Sequence, residues 1–324
     1  MTRSVLSIRN LSVEIPTRQG TVKPVDNVSY DINKGEILGV VGESGAGKSM
    51  AGNAVIGLLN PPAHISGGEI LLNGSRIDQL RGEAVRKLRG KDIGMIFQDP
   101  LTSLNPLLTI GDQLTETILT HLSVSRREAN ARAVAALEEV GIPGAAERID
   151  SYPHEFSGGM RQRVVIALAL CAEPSLVIAD EPTTALDVSV QAQIISLLKR
   201  LCRERGTAVM LITHDMGVIA EAADRVAVMY AGRLAELGPV QSVLTHPRHH
   251  YTHGLMASTP LAATGMRRLH QIPGSMPRLN HMPAGCAFNP RCPAAQENCR
   301  QEPPPAMLDG RAACWFPRMV EAAE

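Results

Sequence analysis

Residues 36–49, EILGVVGESGAGKS, decide the fold. Glu36 to Val41 is a short apolar run of strand length. GESGAGKS, residues 42–49, satisfies the pattern G-x-x-x-x-G-K-S/T, and a helical pattern runs on from about Lys48 to Leu59. The order strand, glycine turn, helix is what a phosphate cradle requires. Gly42, Gly45 and Gly47 let the backbone wrap closely, so that successive N–H groups face phosphate oxygens. The helix N-terminus adds a favourable dipole. Lys48 suits the β- and γ-phosphates, and the Ser49 hydroxyl suits Mg²⁺. Gly42, Ser44, Gly45, Gly47, Lys48 and Ser49 are therefore the candidate nucleotide-binding residues of this loop. A plain glycine turn would need neither the lysine nor the flanking strand and helix.

Further along, LVIADE (176–181) is a second apolar strand ending in two carboxylates. Ligands of parallel sheets bind at the C-terminal ends of strands. Asp180 suits Mg²⁺ through water, and Glu181 suits a general base on the attacking water. By itself this pair is weak evidence, because buried strands often end in an acid; beside the cradle it is strong.

The pattern around these motifs alternates strand and helix, which implies α/β layers with a largely parallel sheet. Helices are predicted at about 159–171, 189–204 and 216–222, and strands at 93–97, 208–212 and 225–230. Residues 4–15 and 25–32 read as strands at a sheet edge. Glu69–Leu72 followed by Asn73-Gly74 reads as a hairpin. Between about 100 and 140 strand signals vanish. Ile110–Leu122 has helical period, and Ser125-Arg-Arg-Glu128 is a capping box opening a helix that Gly141 ends. This is a helical insertion, bounded at about 98–165. After residue 245 apolar periodicity fades while Pro, His, Arg and Cys rise. The division expected is therefore 1–245 for the ATPase domain and 246–324 for a separate Cys-rich appendage.

Composition narrows the class. The 324 residues are 44% hydrophobic and 3% aromatic, so the core is aliphatic. Lys plus Arg and Asp plus Glu are 32 each, which argues against nucleic acid as a partner. No apolar run reaches the length of a membrane span, and the N-terminus lacks the apolar centre of a secretory signal. The chain is expected in the cytosol, where disulfides are not the default. Cys171 and Cys202 fall in helix-like stretches and read as inert core. Cys286, Cys292, Cys299 and Cys314 crowd the tail and read as a metal site. A four-iron four-sulfur cluster, a structural zinc and plain disulfides all remain open. His246, His249, His250 and His253 tempt a metal reading, but Pro-Arg-His-His-Tyr-Thr (247–252) resembles a linker motif of a known family.

The remaining motifs carry a resemblance. FSGGMRQR (156–163) resembles the signature of ABC-type ATPases, Gln98 in IFQDP their Q-loop glutamine, Ala185-Leu186-Asp187 their D-loop, and His214 in ITHD their switch histidine. The resemblance covers about residues 4–245. It implies a mixed-sheet P-loop core, an antiparallel edge subdomain and a helical insertion. FQDPLTSLNP (97–106), ADEPTTALDVSVQAQII (179–195), VMYAGR (228–233) and GCAFNPRCP (285–293) are similar to the ATP-binding subunits of dipeptide and oligopeptide importers. That group also includes importers of nickel and glutathione.

The resemblance implies two ATPase subunits, here a heterodimer, sandwiching two ATP molecules head to tail. Ser157 and Gly159 would then contact the γ-phosphate of ATP held by the partner, and Gly158 and Asp187 would be nucleotide-binding with them. His214 would sense the γ-phosphate, and Gln98 would join Mg²⁺ to the helical insertion. The partners implied are a second ATPase and two transmembrane permeases, with an external solute-binding protein acting indirectly. The chain would lie at the cytoplasmic face of the inner membrane. The group carries a four-iron four-sulfur cluster at matching cysteines. Met160 stands where the signature often has Gln, as in the peptide importers. Ile15 aligns where the family stacks adenine on an aromatic, with Tyr30 as the alternative. The tail lies more than 70 residues after His214, so nucleotide binding is expected to be independent of it. Soluble ABC ATPases of DNA repair or translation are the competing class, but the chain has no heptad run and only one cradle.

Overall fold

The computed structural model describes residues 4–184, 186–259, 271–305, 307 and 310–319. Its strands are β1 (Ser4–Thr17), β2 (Gly20–Asn33), β3 (Ile37–Val41), β4 (His64–Leu72), β5 (Ser75–Arg76), β6 (Ile93–Ile96), β7 (Leu176–Asp180), β8 (Ala208–Ile212), β9 (Arg225–Tyr230) and β10 (Arg233–Pro239). The chain forms two compact units. One comprises Met1–Val5, Ile32–Ile37 and Gln79–Leu211; the other comprises Leu6–Asp31, Leu38–Asp78 and Ile212–Glu324.

In the first unit β7 lies between β8 and β6. β6 and β7 are parallel, pairing Ile93 with Leu176 and Ile96 with Ala179. Leu176–Ala179 are all buried, as expected of a strand covered on both faces. No strand occurs among the described residues between Ile96 and Leu176. Helices Ile110–His121, Arg126–Glu139 and Gly158–Leu170 fill that stretch. Thr109 and Ser125 cap the first two, accepting from the N–H groups of Asp112 and Glu128. The helices expected over Ile110–Leu122 and after Ser125 are therefore present. Arg205 pairs with Glu139 and also donates to the Leu170 carbonyl at 2.9 Å, tying Val188–Arg205 to the insertion.

The second unit contains a four-stranded sheet ordered β2-β1-β4-β5. β1 and β4 are antiparallel. β1 is interior to this sheet and β2 is its edge, so the expected edge position holds for one strand of the two. Asn73 and Gly74 both have positive φ, 50° and 83°, and join β4 to β5 in the primed turn that Asn-Gly favours. The same unit holds β10, β9 and β3 in that order. β3 and β9 are parallel and β9 and β10 antiparallel, so this sheet is mixed. The sequence pattern had not revealed β10, whose seven residues end at Gly238-Pro239.

The described residues after 245 pack within this second unit rather than forming a detached appendage. Glu236 is buried and accepts from the backbone N–H groups of Arg248 and His249, at 2.8 and 2.9 Å. Leu237 donates to Arg311, and Ala313 to Ala235, so the tail extends the edge of β10. The scarce aromatics concentrate here. Tyr230, Tyr251 and Phe288 form a cluster with ring centroids 4.6–5.4 Å apart. Weak periodicity concealed this packing because the tail is held by backbone bonds and a few large rings, not by an amphipathic stripe.

Candidate functional site

In the second unit the loop from Gly42 to Ser49 joins β3 to the helix Lys48–Ile56. Gly42, Gly45 and Gly47 all have positive φ. At Gly47 (φ 100°) a Cβ would lie 2.0 Å from the Pro24 carbonyl oxygen, and at Gly42 2.2 Å from that of Met229. Both positions therefore admit glycine alone. Ala46 donates to Glu43, closing the loop, and Gly232 of the β9–β10 turn donates to Ala46 from behind. Lys48 is buried, with Nζ donating to the carbonyls of Gly42 (2.9 Å) and Glu43 (3.1 Å). Ser44, Gly45 and Ser49 are exposed at the loop surface. A concave run of backbone opening a helix, with a lysine braced inside and hydroxyls outside, fits a polyphosphate with an oxygen-ligated divalent cation.

His214 belongs to the same unit. Thr213, before it, donates through its N–H to Val40, two residues before Gly42. Asp215, after it, caps the helix Met216–Ala222 by accepting from Gly217 at 2.7 Å. His214 itself is exposed between these two anchors.

In the first unit β7 delivers Asp180, half-buried, and then Glu181. Glu181 has φ 48°, in the left-handed region that a side chain disfavours. Such strain persists only where surrounding bonds hold it. Two such bonds converge on Glu181 Oε2: Gln98 Nε2 donates at 3.0 Å and Thr184 Oγ1 at 3.0 Å. The structure thus joins the expected general base to the expected Q-loop glutamine, and adds Thr184. No sequence signal distinguished Thr184 from its neighbour Thr183.

Ser157 is the N-cap of the helix Gly158–Leu170, accepting from Met160 at 3.4 Å. Ser157 and Gly158 are exposed on its first turn. A Cβ at Gly159 would come 2.8 Å from Val190 Cγ1, so close packing of this helix on Val188–Arg205 requires glycine there. Asp187 occupies the N-cap position of Val188–Arg205 without a side-chain capping bond and is exposed. Ala185 lies outside the described residues. Ile15 is half-buried near the end of β1, whereas Tyr30 is buried in β2 and burial raises its hydroxyl pKa. Tyr30 therefore offers no ring face to a base.

The tail is not remote from the phosphate loop. Tyr251 accepts from the Glu43 N–H at 2.9 Å, and Arg291 Nη1 donates to both oxygens of Glu43, at 2.9 and 3.0 Å. Arg291 stands between Cys286 and Cys292 in the GCAFNPRCP run, and the sequence reading did not single it out.

All six cysteines are free thiols. Cys171 and Cys202 are buried as core residues, with burial pushing the Cys171 thiol up to about 12. Cys286, Cys292, Cys299 and Cys314 all line one small cavity together with Phe288 and Trp315. Gly285 (φ 75°) makes this possible: a Cβ there would lie 2.3 Å from the Cys299 carbonyl oxygen, to which Cys286 donates. Burial raises the thiols of Cys286 and Cys292, and takes Cys314 to about 11. Yet no group of three or more His, Cys, Asp or Glu among the described residues is disposed to hold a metal ion. The expected ligand set is therefore not assembled among the described residues, although the four thiols line one cavity. The donor chemistry suits a soft metal centre, but the spacing of the thiols does not present one ready-made.

The histidines have structural partners. His249 Nδ1 accepts from the Tyr251 N–H at 3.0 Å, capping the helix His250–Ala257. Burial lowers its pKa to about 3. His250 Nε2 lies 3.0 Å from the Phe316 carbonyl oxygen.

Comparison with known proteins agrees with this geometry. The ABC transporter family matches residues 25–184, and the oligopeptide/dipeptide transporter C-terminal region matches residues 235–299. The dipeptide transport ATP-binding protein DppD of Bacillus subtilis is 49% identical over 91% of this chain and 88% of its own length. The probable D,D-dipeptide transport ATP-binding protein DdpD of Escherichia coli is 47% identical over 98% of both. Among solved structures, the ATP-binding cassette MJ0796, a dimer in a post-hydrolysis state bound to ADP and Pi, aligns with TM-score 0.65 and 28% identity. That alignment covers 72% of this chain and 98% of the cassette.

Proposed function

Because the chain belongs to the ABC transporter ATPases, in the group with the oligopeptide/dipeptide transporter C-terminal region, we propose that it is the ATP-hydrolysing subunit of a di- or oligopeptide importer. The observation that carries the ATPase reading is Glu181, held on a left-handed backbone at the end of β7 by Gln98 and Thr184. The peptide reading is supported by relatives named for dipeptide and oligopeptide transport and matched over most of their length.

In this reading the N–H groups from Ser44 to Ser49 and the Lys48 ammonium hold the β- and γ-phosphates. Ser49, Asp180 and Gln98 serve Mg²⁺, which supplies charge neutralisation on the phosphate oxygens. Glu181 orients and deprotonates the attacking water. Gln98 and Thr184 keep its carboxylate in place until water arrives. His214 contacts the γ-phosphate. Ser157, Gly158, Gly159 and Asp187 serve the nucleotide of a second ATPase subunit, for which a helix N-terminus is electrostatically suited.

No helix among the described residues is long and apolar enough to cross a membrane. The proposed attachment at the cytoplasmic face of the inner membrane runs through two permease subunits. Exposed Phe97, Leu101 and Leu107 around the Q-loop segment are apolar surface available to such a partner. The functional division proposed is 1–245 for ATP hydrolysis and 246–324 for the importer-type C-terminal region. Four thiols around one cavity support an iron–sulfur cluster or zinc held by Cys286, Cys292, Cys299 and Cys314, and no step of hydrolysis passes through it.

The test is reconstitution of the chain with its permease subunits and second ATPase. A peptide-loaded binding protein is expected to stimulate ATP hydrolysis. Stimulation by nickel- or glutathione-loaded binding proteins, and not by peptide-loaded ones, would overturn the peptide reading. ATP hydrolysis stimulated by nucleic acid or ribosomes instead would overturn the importer reading.

A further inference from the structure

Glu43, the second residue of the phosphate loop, has an unusual set of partners. Its carbonyl oxygen receives the loop-closing N–H of Ala46 and the Lys48 ammonium, the latter at 3.1 Å. Its N–H and its carboxylate face the other way, toward residues that follow the ATPase motifs. Tyr251, on the helix His250–Ala257, takes the N–H at 2.9 Å. Arg291, at the end of the 3-10 turn Asn289–Arg291, takes both carboxylate oxygens.

Arg291 is itself fixed. Its side chain is 7% exposed, against 28% for Glu43. Nε donates to the Pro273 carbonyl at 2.8 Å and Nη1 lies 3.2 Å from the Tyr230 hydroxyl. The guanidinium carbon sits 5.8 Å from the centre of the Tyr230 ring and 6.0 Å from that of Phe288. A third tail residue, Met276, reaches the loop: its Cε lies 3.2 Å from where a Cβ on Gly45 would stand. A buried guanidinium with this many partners has little rotamer freedom, so it transmits position to what it binds.

We propose that Arg291 is a positioning residue for nucleotide binding: with Tyr251 it pins Glu43, and through the Glu43 carbonyl it sets where the Lys48 ammonium stands. The proposal rests on the reading that this loop binds ATP. It replaces the sequence expectation that the tail and nucleotide binding are independent. A loop built from three glycines of positive φ is intrinsically loose, and its own bonds leave Glu43 fixed on one side only. The pin supplies the other side.

The experiment compares full-length Arg291→Ala, Glu43→Gln, Tyr251→Phe and the double variant Arg291→Ala/Glu43→Gln with the unaltered chain. MgATP and MgADP affinities are read by titration with a fluorescent nucleotide, and loop dynamics by amide hydrogen exchange of residues 43–48 without nucleotide. Arg291→Ala is expected to weaken nucleotide binding roughly three- to tenfold, the scale of one charge-assisted hydrogen bond acting at one remove. It should also speed exchange of the loop amides. Glu43→Gln should reproduce most of the effect, and the double variant should be no worse than Arg291→Ala alone, because the two act through one contact. Arg291→Lys should rescue only in part, since an ammonium cannot keep the guanidinium's geometry. If Arg291→Ala does not fold, Tyr251→Phe and Glu43→Gln carry the same test, having no large volume to lose. Folded variants with affinities within 1.5-fold of the unaltered chain, or strictly additive losses, would overturn the proposal. Should the unaltered chain bind no nucleotide, the ATPase reading falls, and loop-amide exchange alone then decides whether the pin exists.

Discussion

In the proposed mechanism Glu181 acts on the attacking water and Lys48 on the phosphates, two roles that single substitutions separate. Glu181→Gln keeps the shape and the hydrogen bonds from Gln98 and Thr184 but removes the base. Turnover is expected to fall about 10²–10⁴-fold while ATP binding persists, measured by phosphate release beside nucleotide titration. Turnover within threefold of the unaltered enzyme would refute the assignment. Lys48→Ala removes a cation from the cradle itself, so affinity falls instead. His249 makes a prediction about stability. Its pKa in the fold, about 3, lies below the unfolded value near 6.5 because burial disfavours the charged ring. The unfolded chain therefore binds the extra proton. Stability is fully present above pH 6.5 and declines below it at about 1.4 kcal/mol per pH unit toward the folded pKa. Urea unfolding followed from pH 7.5 to 5 checks the slope. His249→Asn retains a capping acceptor for Tyr251 and should flatten that slope, even if it is less stable at pH 7.5 through lost packing on Phe288.

Among the elements, the helix Gly158–Leu170 and the phosphate loop bear the sharpest expectations. Ser157→Arg places a long cation at the exposed N-cap of this helix. ATP binding by the isolated chain should survive, and hydrolysis in the assembled pair should fail at the partner's cradle. Loss of ATP binding in the isolated chain would contradict a role toward the partner. In the loop, Gly47→Ala forces a Cβ to 2.0 Å from the Pro24 carbonyl at a φ of 100°. That clash is with backbone and cannot be relieved by a rotamer change, so nucleotide binding should be lost. These elements were legible in the sequence. The apolar strand before the glycines, the capping box at Ser125 and the Asn73-Gly74 turn are local signals, and local backbone chemistry fixes local structure. β10 was not legible, since seven residues ending in Gly-Pro carry almost no period.

At the scale of the molecule, the cysteine-rich tail and the phosphate loop share one compact unit. The iron–sulfur proposal expects protein purified without oxygen to absorb near 400 nm with iron and sulfide in near-equal amounts. Removing any one of Cys286, Cys292, Cys299 or Cys314 should bleach it, and removing Cys171 or Cys202 should not. A colourless protein with one bound zinc would favour the alternative metal. Phe288→Ala tests the packing that seats the tail. Loss of a fully buried ring from a cluster with Tyr230 and Tyr251 should cost about 3–5 kcal/mol, read by urea unfolding.

The sequence by itself determined where the motifs stand: the cradle, the carboxylate pair and the signature are short runs, each carried by one strand, one turn or one helix end. It also determined the helices Ile110–His121 and Arg126–Glu139, through caps and period. Only the tertiary structure decided that Gln98 meets Glu181, 83 residues away in the chain. Only it showed that Tyr30 is buried, that the four thiols line one cavity, and that Arg291 holds Glu43 across 248 residues. Contacts of that separation leave no period and no spacing rule in the chain. They arise when apolar burial brings β9, β10 and the tail together, and the polar side chains left inside must then find one another.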